Sequence, residues 1–259
     1  MLWGRDAASK YRQALQQLPD RMDGFTIFSD LPQQGARELH YLRFAELDGA
    51  DPFDLVVHNL DDAPEFASSF PYVVRRPGVL FLGDIYMHRY ARATSHSALD
   101  GWGYRWIVGA ACPERADALA RLAEAGIPPG ALARKLPLAP ALARRSAAVV
   151  VPDYDSWLLF DAEEYMPPIA VIAPPDISAP EGEVSPSSEF EAFADAFERM
   201  LPSWIERAKE AASTIPPLEH PHRDLLGLER RRVFERFDEE DRALAELVAK
   251  PLVELLGAP

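Results

Sequence analysis

Residues 75–84 read RRPGVLFLGD. Pro77 and Gly78 signal a turn, and the apolar run over residues 79–82 shows no polar alternation, the mark of a strand buried on both faces. Gly83 and Asp84 end it. Working outward, AAVVVP (147–152) and PIAVIAPP (168–175) have the same form. So does DPFDLVVHNL (51–60), where Pro52 marks a turn and Leu55, Val56 and Val57 read as the buried strand. Helical stretches separate these runs. Residues 85–145 are rich in Ala, Leu and Arg and broken at Pro113 and at 127–130, and DSWLLFDAEEY (155–165) forms another helix. Short apolar strands alternating with helices predict a parallel sheet covered on both faces. Residues 20–178 therefore read as an α/β domain with one doubly wound, Rossmann-like parallel sheet.

The flanks complete the layout. Residues 1–19 carry a helix with apolar Tyr11, Leu15 and Leu18. A short apolar run follows at 25–28, and ARELHYLRFAEL (36–47) fits a strand about as well as a helix. The stretch APPDISAPEGEVSPSS (173–188) is rich in Pro, Ser and acid, which places a linker at 179–188. Beyond it, 189–259 reads as a helical tail. Phe190, Phe193, Phe197, Leu201, Trp204 and Ala208 recur at helical spacing as one apolar stripe. That stripe either packs back on the preceding domain or serves as an association surface for an oligomer. A second, heavily charged helical region is expected at about 222–256.

The chain has 259 residues, 48% of them hydrophobic and 26% charged, which suits one large globular domain with an appendage. The single Cys112 cannot form an internal disulfide, and no Cys/His spacing suggests zinc, so no metal site is expected. The polar first twenty residues hold no signal-peptide core, and no apolar run approaches the ~18 residues of a membrane span. A cytoplasmic protein without a transmembrane segment is the expectation. A net charge of −14 makes nucleic acid a poor partner. Within that acidic chain, 71–145 is locally basic, with 11 Lys and Arg against 5 acids, either as solvated helices or as a surface for an anionic ligand.

Gly-rich phosphate loops are absent, which excludes a dinucleotide-binding dehydrogenase and a P-loop nucleotidase and leaves no cofactor expected. In α/β folds ligands gather at the carboxyl ends of strands. Attention therefore falls on Ser29 and Asp30, on residues 58–62, on Gly83 and Asp84, and on residues 152–155. Asp84 and His88 lie four apart, with Arg75, Arg76 and Arg89 close in sequence, a group suited to an acceptor hydroxyl or a phosphate. The alternative for Asp84 is the cap of a helix starting near Ile85. His58 is a general base or a buried, hydrogen-bonded imidazole. Asp153 and Asp155 are a metal clamp or, as ordinary helix starts go, an N-cap. His220 and His222 lack a nearby third ligand.

The stretches DLVVHNLDDAPEFA (54–67) and YVVRRPGVLFLGDIYMHRY (72–90) resemble the N-terminal half of family 4 glycosyltransferases of the GT-B architecture. LPLAPALARRSAAVVV (136–151) and PPIAVIAPPDI (167–177) resemble later segments of that half, in the same order. Residues 75–88 are the most specific part. Departures are numerous. Asp61 and Asp62 stand where the family has Gly-Asn. Phe66 stands for a His, Gly83-Asp84 for His-Asp, Pro152-Asp153 for His-Ser, and Pro174 for a further His. The loop LPQQGAREL (31–39) keeps a single glycine, Gly35. The C-terminal donor domain, with its basic pair and spaced glutamates, has no counterpart after Ser188, and Glu189, Glu191 and Glu198 do not have the spacing.

The resemblance implies half of a GT-B fold with a C-terminal helical extension, the acceptor-binding side of an enzyme that moves a glycosyl unit from a nucleotide sugar to a hydroxyl. Without a donor clamp nothing offsets the charge of the leaving diphosphate. The implied partner is a donor-domain protein or an intact glycosyltransferase, and the implied ligand is a sugar or a phosphorylated acceptor. Asp84 and His88 would then be catalytic, and His58, Asp61, Asp62, Arg75, Arg76 and Arg89 would bind substrate. The competing expectation is a non-catalytic binding or scaffold module of the same descent.

Overall fold

A computed structural model describes residues 4–29, 38–40, 53–97, 102–113, 117, 121, 137–161, 166–175 and 188–215. All of them fall in one compact unit, Met1–Pro217; Leu218–Pro259 forms a second. The expected features at Asp30, Gly35, residues 127–130, most of the linker, His220, His222 and residues 222–256 lie outside the described residues.

Four strands, β3 (Val57–Leu60), β4 (Val79–Leu82), β5 (Ala148–Val151) and β6 (Ile169–Val171), form a parallel sheet in the order β3-β4-β5-β6. A separate parallel pair joins β1 (Ile27–Ser29) to β2 (Glu38–His40), so the described residues of the ambiguous stretch form a strand. Strands β4, β5 and β6 match the apolar runs. β3 does not: it begins two residues later than the hydropathy suggests and takes in His58 and Asn59. Pairing with β4 sets the register, Val57 opposite Val79, and the Val79 N–H reaches back to the Val56 carbonyl at 2.9 Å. Gly78 permits this approach, because a Cβ there would stand 2.2 Å from the Val56 oxygen.

Helix α1 (Gly4–Gln17) opens the chain and runs into a 3-10 turn, Leu18–Asp20. A second 3-10 turn, Pro64–Ser69, and the short α2 (Phe70–Val73) connect β3 to β4. Helices α3 (His88–Ser97), α4 (Trp102–Ala111) and α5 (Ala139–Ala143) lie between β4 and β5, and α6 (Tyr154–Asp161) lies between β5 and β6. The long α7 (Ser188–Thr214) follows. No described helix is long and apolar enough to cross a membrane.

Alternate residues of each strand point to opposite faces. On one face Val57, Val79, Phe81, Ala148 and Val150 pack against Tyr11, Ala14, Leu15 and Leu18 and against Phe190, Phe193, Ala194, Phe197 and Trp204 of α7. Phe81 sits at the centre, edge-on to Tyr11 at 5.2 Å and to Trp204 at 6.0 Å between ring centroids. The stripe of the tail is thus turned inward, buried at every position except half-buried Leu201. On the other face Leu60, Leu80, Leu82, Val149 and Val151 are buried.

Winding in both directions does not occur among the described strands, because their order advances one way. Right-handed connections then put every crossover on a single face. The opposite face would stay bare without two further helices, and α1 and α7 cover it. Outside this layer, the Arg21 guanidinium joins the end of the first 3-10 turn to Glu191, Asp195 and Glu198 along α7.

Candidate functional site

The carboxyl ends of β3 and β4 bring together Asp61, Asp62, Asp84, His88 and Arg89. Asp62 organises them. Its carboxylate accepts the backbone N–H of Tyr90 at 3.0 Å and that of Arg89, so it holds the first turn of α3 from 27 residues away in sequence. The helix starts at His88, not near Ile85, which corrects the expectation that Asp84 caps it. Asp84 instead accepts the Tyr86 N–H at 2.8 Å and closes a local turn. Asp61, itself buried, accepts the N–H of Asp62 at 2.7 Å.

Between Asp84 and the helix, Met87 is fully buried with φ of 55°, the one non-glycine residue with positive φ among the described residues. A bulky side chain in the left-handed region costs on the order of 1–3 kcal/mol and persists where the surroundings over-determine it. Here the anchored helix on one side and the Asp84 turn on the other fix both ends of a three-residue link. His88, first in the helix, is fully buried.

Charge is concentrated at this edge. Burial raises the Asp62 pKa above the usual carboxylate value, against the lowering effect of the Tyr90 and Arg89 N–H groups. The neighbouring Asp84 charge raises it further, and His88 lowers it. The Asp62 carboxylate therefore lies close enough to feel both Asp84 and His88.

The remaining residues of the expected site are elsewhere. Arg75 and Arg76 precede β4 whereas Asp84 follows it, so a four-residue strand of about 13 Å separates them. Arg76 donates to the Phe53 carbonyl at 2.6 Å, and Arg75 is exposed at that far end. His58 is buried with Nε2 3.1 Å from the Arg76 carbonyl, which only accepts, so Nε2 carries the hydrogen. Burial first, and the Arg76 charge after it, push its pKa down to about 4 despite that hydrogen bond. The imidazole is neutral and structural, and neither it nor the two arginines joins the Asp84 group.

Other candidates resolve in the same way. Asp153 accepts the Ser156 N–H at 2.7 Å and caps α6, so it is a cap, not a clamp. No group of three or more His, Cys, Asp or Glu side chains able to hold a metal occurs among the described residues. Two cations of the basic segment brace backbone: Arg145 donates to the Val74 carbonyl and lies over the Trp106 ring at 5.9 Å, and Arg144 donates to that of Ala110. Sequence reasoning missed Met87, since nothing in a string such as Ile-Tyr-Met-His marks a positive φ. It also missed the outward face of α6, although apolar residues on every side of YDSWLLFD were a readable signal.

Chemically, the edge offers carboxylates that can accept hydroxyl hydrogens and one exposed cation, Arg89. It does not offer a free helix N-terminus for phosphate, because the Asp62 carboxylate fills that position. Comparison with protein-family models, with curated proteins and with solved structures yields no match.

Proposed function

We propose that this chain is a binding module on a glycosyltransferase-like half-fold, one that does not complete a sugar transfer by itself. The observation that carries the reading is the position of Asp62. Phosphate in α/β proteins binds where a helix presents its first N–H groups. Here those of Arg89 and Tyr90 are taken by a carboxylate of the same chain, whose charge repels a diphosphate. The one-way strand order supports the same view, since it provides no reversal point among the described strands at which a crevice would open.

A second reading, the acceptor-binding half of an enzyme whose donor half is another protein, is favoured by one observation. Asp61, Asp62, Asp84 and His88 do converge at the strand ends, a set that suits the hydroxyls of an uncharged sugar better than a phosphate.

Thermal unfolding of the chain against a panel of nucleotide sugars, with and without Mn²⁺, tests the first reading. A ligand at 100 times its Kd stabilises by about 2.7 kcal/mol. No nucleotide sugar is expected to raise Tm, and a clear rise with any one of them defeats the proposal. A rise with free glycosides alone, lost in Asp84→Asn, selects the second reading.

A further inference from the structure

Large apolar side chains that face solvent gather in one place among the described residues. Tyr154 is 61% exposed, Leu158 47% and Leu159 45% on α6, and Val171 of β6 is 45% exposed. Trp157, half-buried, stacks on Tyr154 with centroids 4.9 Å apart and planes 17° from parallel. Phe160, fully buried, anchors the opposite side of the helix. At 100° per residue, Trp157, Tyr154, Leu158 and Leu159 share one arc, and exposed Asp155 lies within it. The Tyr154–Leu158 and Asp155–Leu159 pairs form two adjacent i,i+4 ridges, the relief into which another helix packs.

The described charge on this face is acidic: Asp155 lies within the arc and Asp153 stands at the helix start. Residues 146–180 contain six acids, Asp153, Asp155, Asp161, Glu163, Glu164 and Asp176, and not one Lys or Arg. An apolar arc that carries an acid, in a segment of sequence without cations, is complementary to an apolar stripe flanked by cations. The stacked Tyr154 and Trp157 rings also offer π faces to Arg or Lys, and these two residue types are the usual energetic anchors of interfaces.

We infer that the α6–β6 face docks a cationic amphipathic helix of a partner protein. The inference does not rest on the reading of the Asp62 edge, which is built on β3 and β4, whereas this face is built on β6 and on the helix between β5 and β6.

A labelled synthetic Leu/Lys amphipathic helix, titrated into the full chain and followed by fluorescence anisotropy, is the test, with a Leu/Glu helix of the same pattern as control. Binding is expected with the first and not with the second. Leu158→Ser with Leu159→Ser should weaken it by about tenfold or more, and Asp155→Asn should weaken it less, with thermal unfolding unchanged in both. Equal binding by the serine variant would mean general attraction to an acidic chain and would overturn the proposal. So would absence of binding, a large drop in Tm in the serine variant (the face then being covered by this chain itself), or a dimer that the serine variant dissolves.

Discussion

The sheet face beneath α1 and α7 and the sheet edge around Asp62 are built from different forces. On the face, rings touch rings: Tyr11, Phe81, Phe193, Phe197 and Trp204 form pairs with ring centroids 5.2–6.4 Å apart. At the edge, carboxylates bond backbone N–H groups across long stretches of chain. Apolar contact is non-directional and grows with area. A carboxylate–backbone bond is directional and nets about a kilocalorie. The face therefore decides whether the chain folds, and the edge decides how one loop and one helix start are posed.

The largest effect belongs to the face. Trp204 is 1% exposed and meets Phe81 and Phe197 edge-on. Trp204→Ala should cost about 3–5 kcal/mol in urea unfolding, the range for deleting a large buried ring. That is a sizeable share of the roughly 5–15 kcal/mol that holds a domain together. A cost below about 1 kcal/mol would show that α7 does not close this face, and the contrast with the edge would collapse.

His58, on the opposite face of the sheet beside Leu60 and Leu80, brings burial into pH dependence. Its folded pKa near 4 lies below the unfolded value of 6.5. The unfolded chain thus binds the proton first as pH falls, and stability is lost between about 6.5 and 4. A shift of this size corresponds to on the order of 3 kcal/mol. Urea midpoints measured across that window should fall in the wild type and flatten in His58→Gln. An unchanged slope in the variant would remove His58 from the account.

Legibility in the sequence followed the same division. The runs at 79–82 and 148–151 were readable because strands buried on both faces need no partner to declare themselves. The stripe from Phe190 to Ala208 was readable from spacing alone, as was the Asp153 cap from its place before Ser156. The Asp62 edge was half legible: fold logic pointed to the strand ends, and Asp61, Asp62, Asp84 and His88 do meet there. What it could not supply was which carboxylate anchors α3, because that bond spans 27 residues and depends on register. Arg75 and Arg76 were misplaced for a related reason. Nearness in sequence to Asp84 suggests nearness in space, whereas a strand between them sends them to opposite ends. His58 was legible as one of two alternatives, the buried and hydrogen-bonded imidazole, but its partner, the carbonyl of Arg76, was not.

The edge should answer more weakly than the face. Asp62→Ala removes the acceptor of the Arg89 and Tyr90 N–H groups and should cost about 1 kcal/mol, as N-cap losses do. Asp62→Asn keeps an acceptor and should cost less near pH 4. Because the folded pKa of Asp62 is raised, its proton binds more tightly in the folded chain, and stability falls as pH rises through that pKa. Asn carries no such burden, so the asparagine variant should gain on the wild type as pH rises above the ordinary carboxylate value of 3.8. This slope is opposite in sign to that of His58, which separates the two groups in one titration. If the alanine and asparagine variants behave alike at every pH, the carboxylate does not hold the helix.

The smallest effect tests where the face ends. Arg21 meets Glu191, Asp195 and Glu198 outside the ring layer, with 28% of its own side chain and 40–64% of theirs exposed. These pairs raise the Arg21 pKa, so the guanidinium stays charged throughout, but exposed pairs are screened and contribute little. Their role is local. Glu191 and Asp195 are one turn apart and Asp195 and Glu198 three residues apart, so without the cation they repel along one side of α7. Arg21→Ala should therefore cause a slight loss of stability at low salt that disappears at high salt. Arg21→Lys should recover only part of it, because an ammonium cannot reach three carboxylates with a planar fork. A loss that salt leaves untouched would mean that the arginine stem is packed against the helix. Arg21 would then belong to the face it borders, and the boundary between packing and charge would lie further out than the rings.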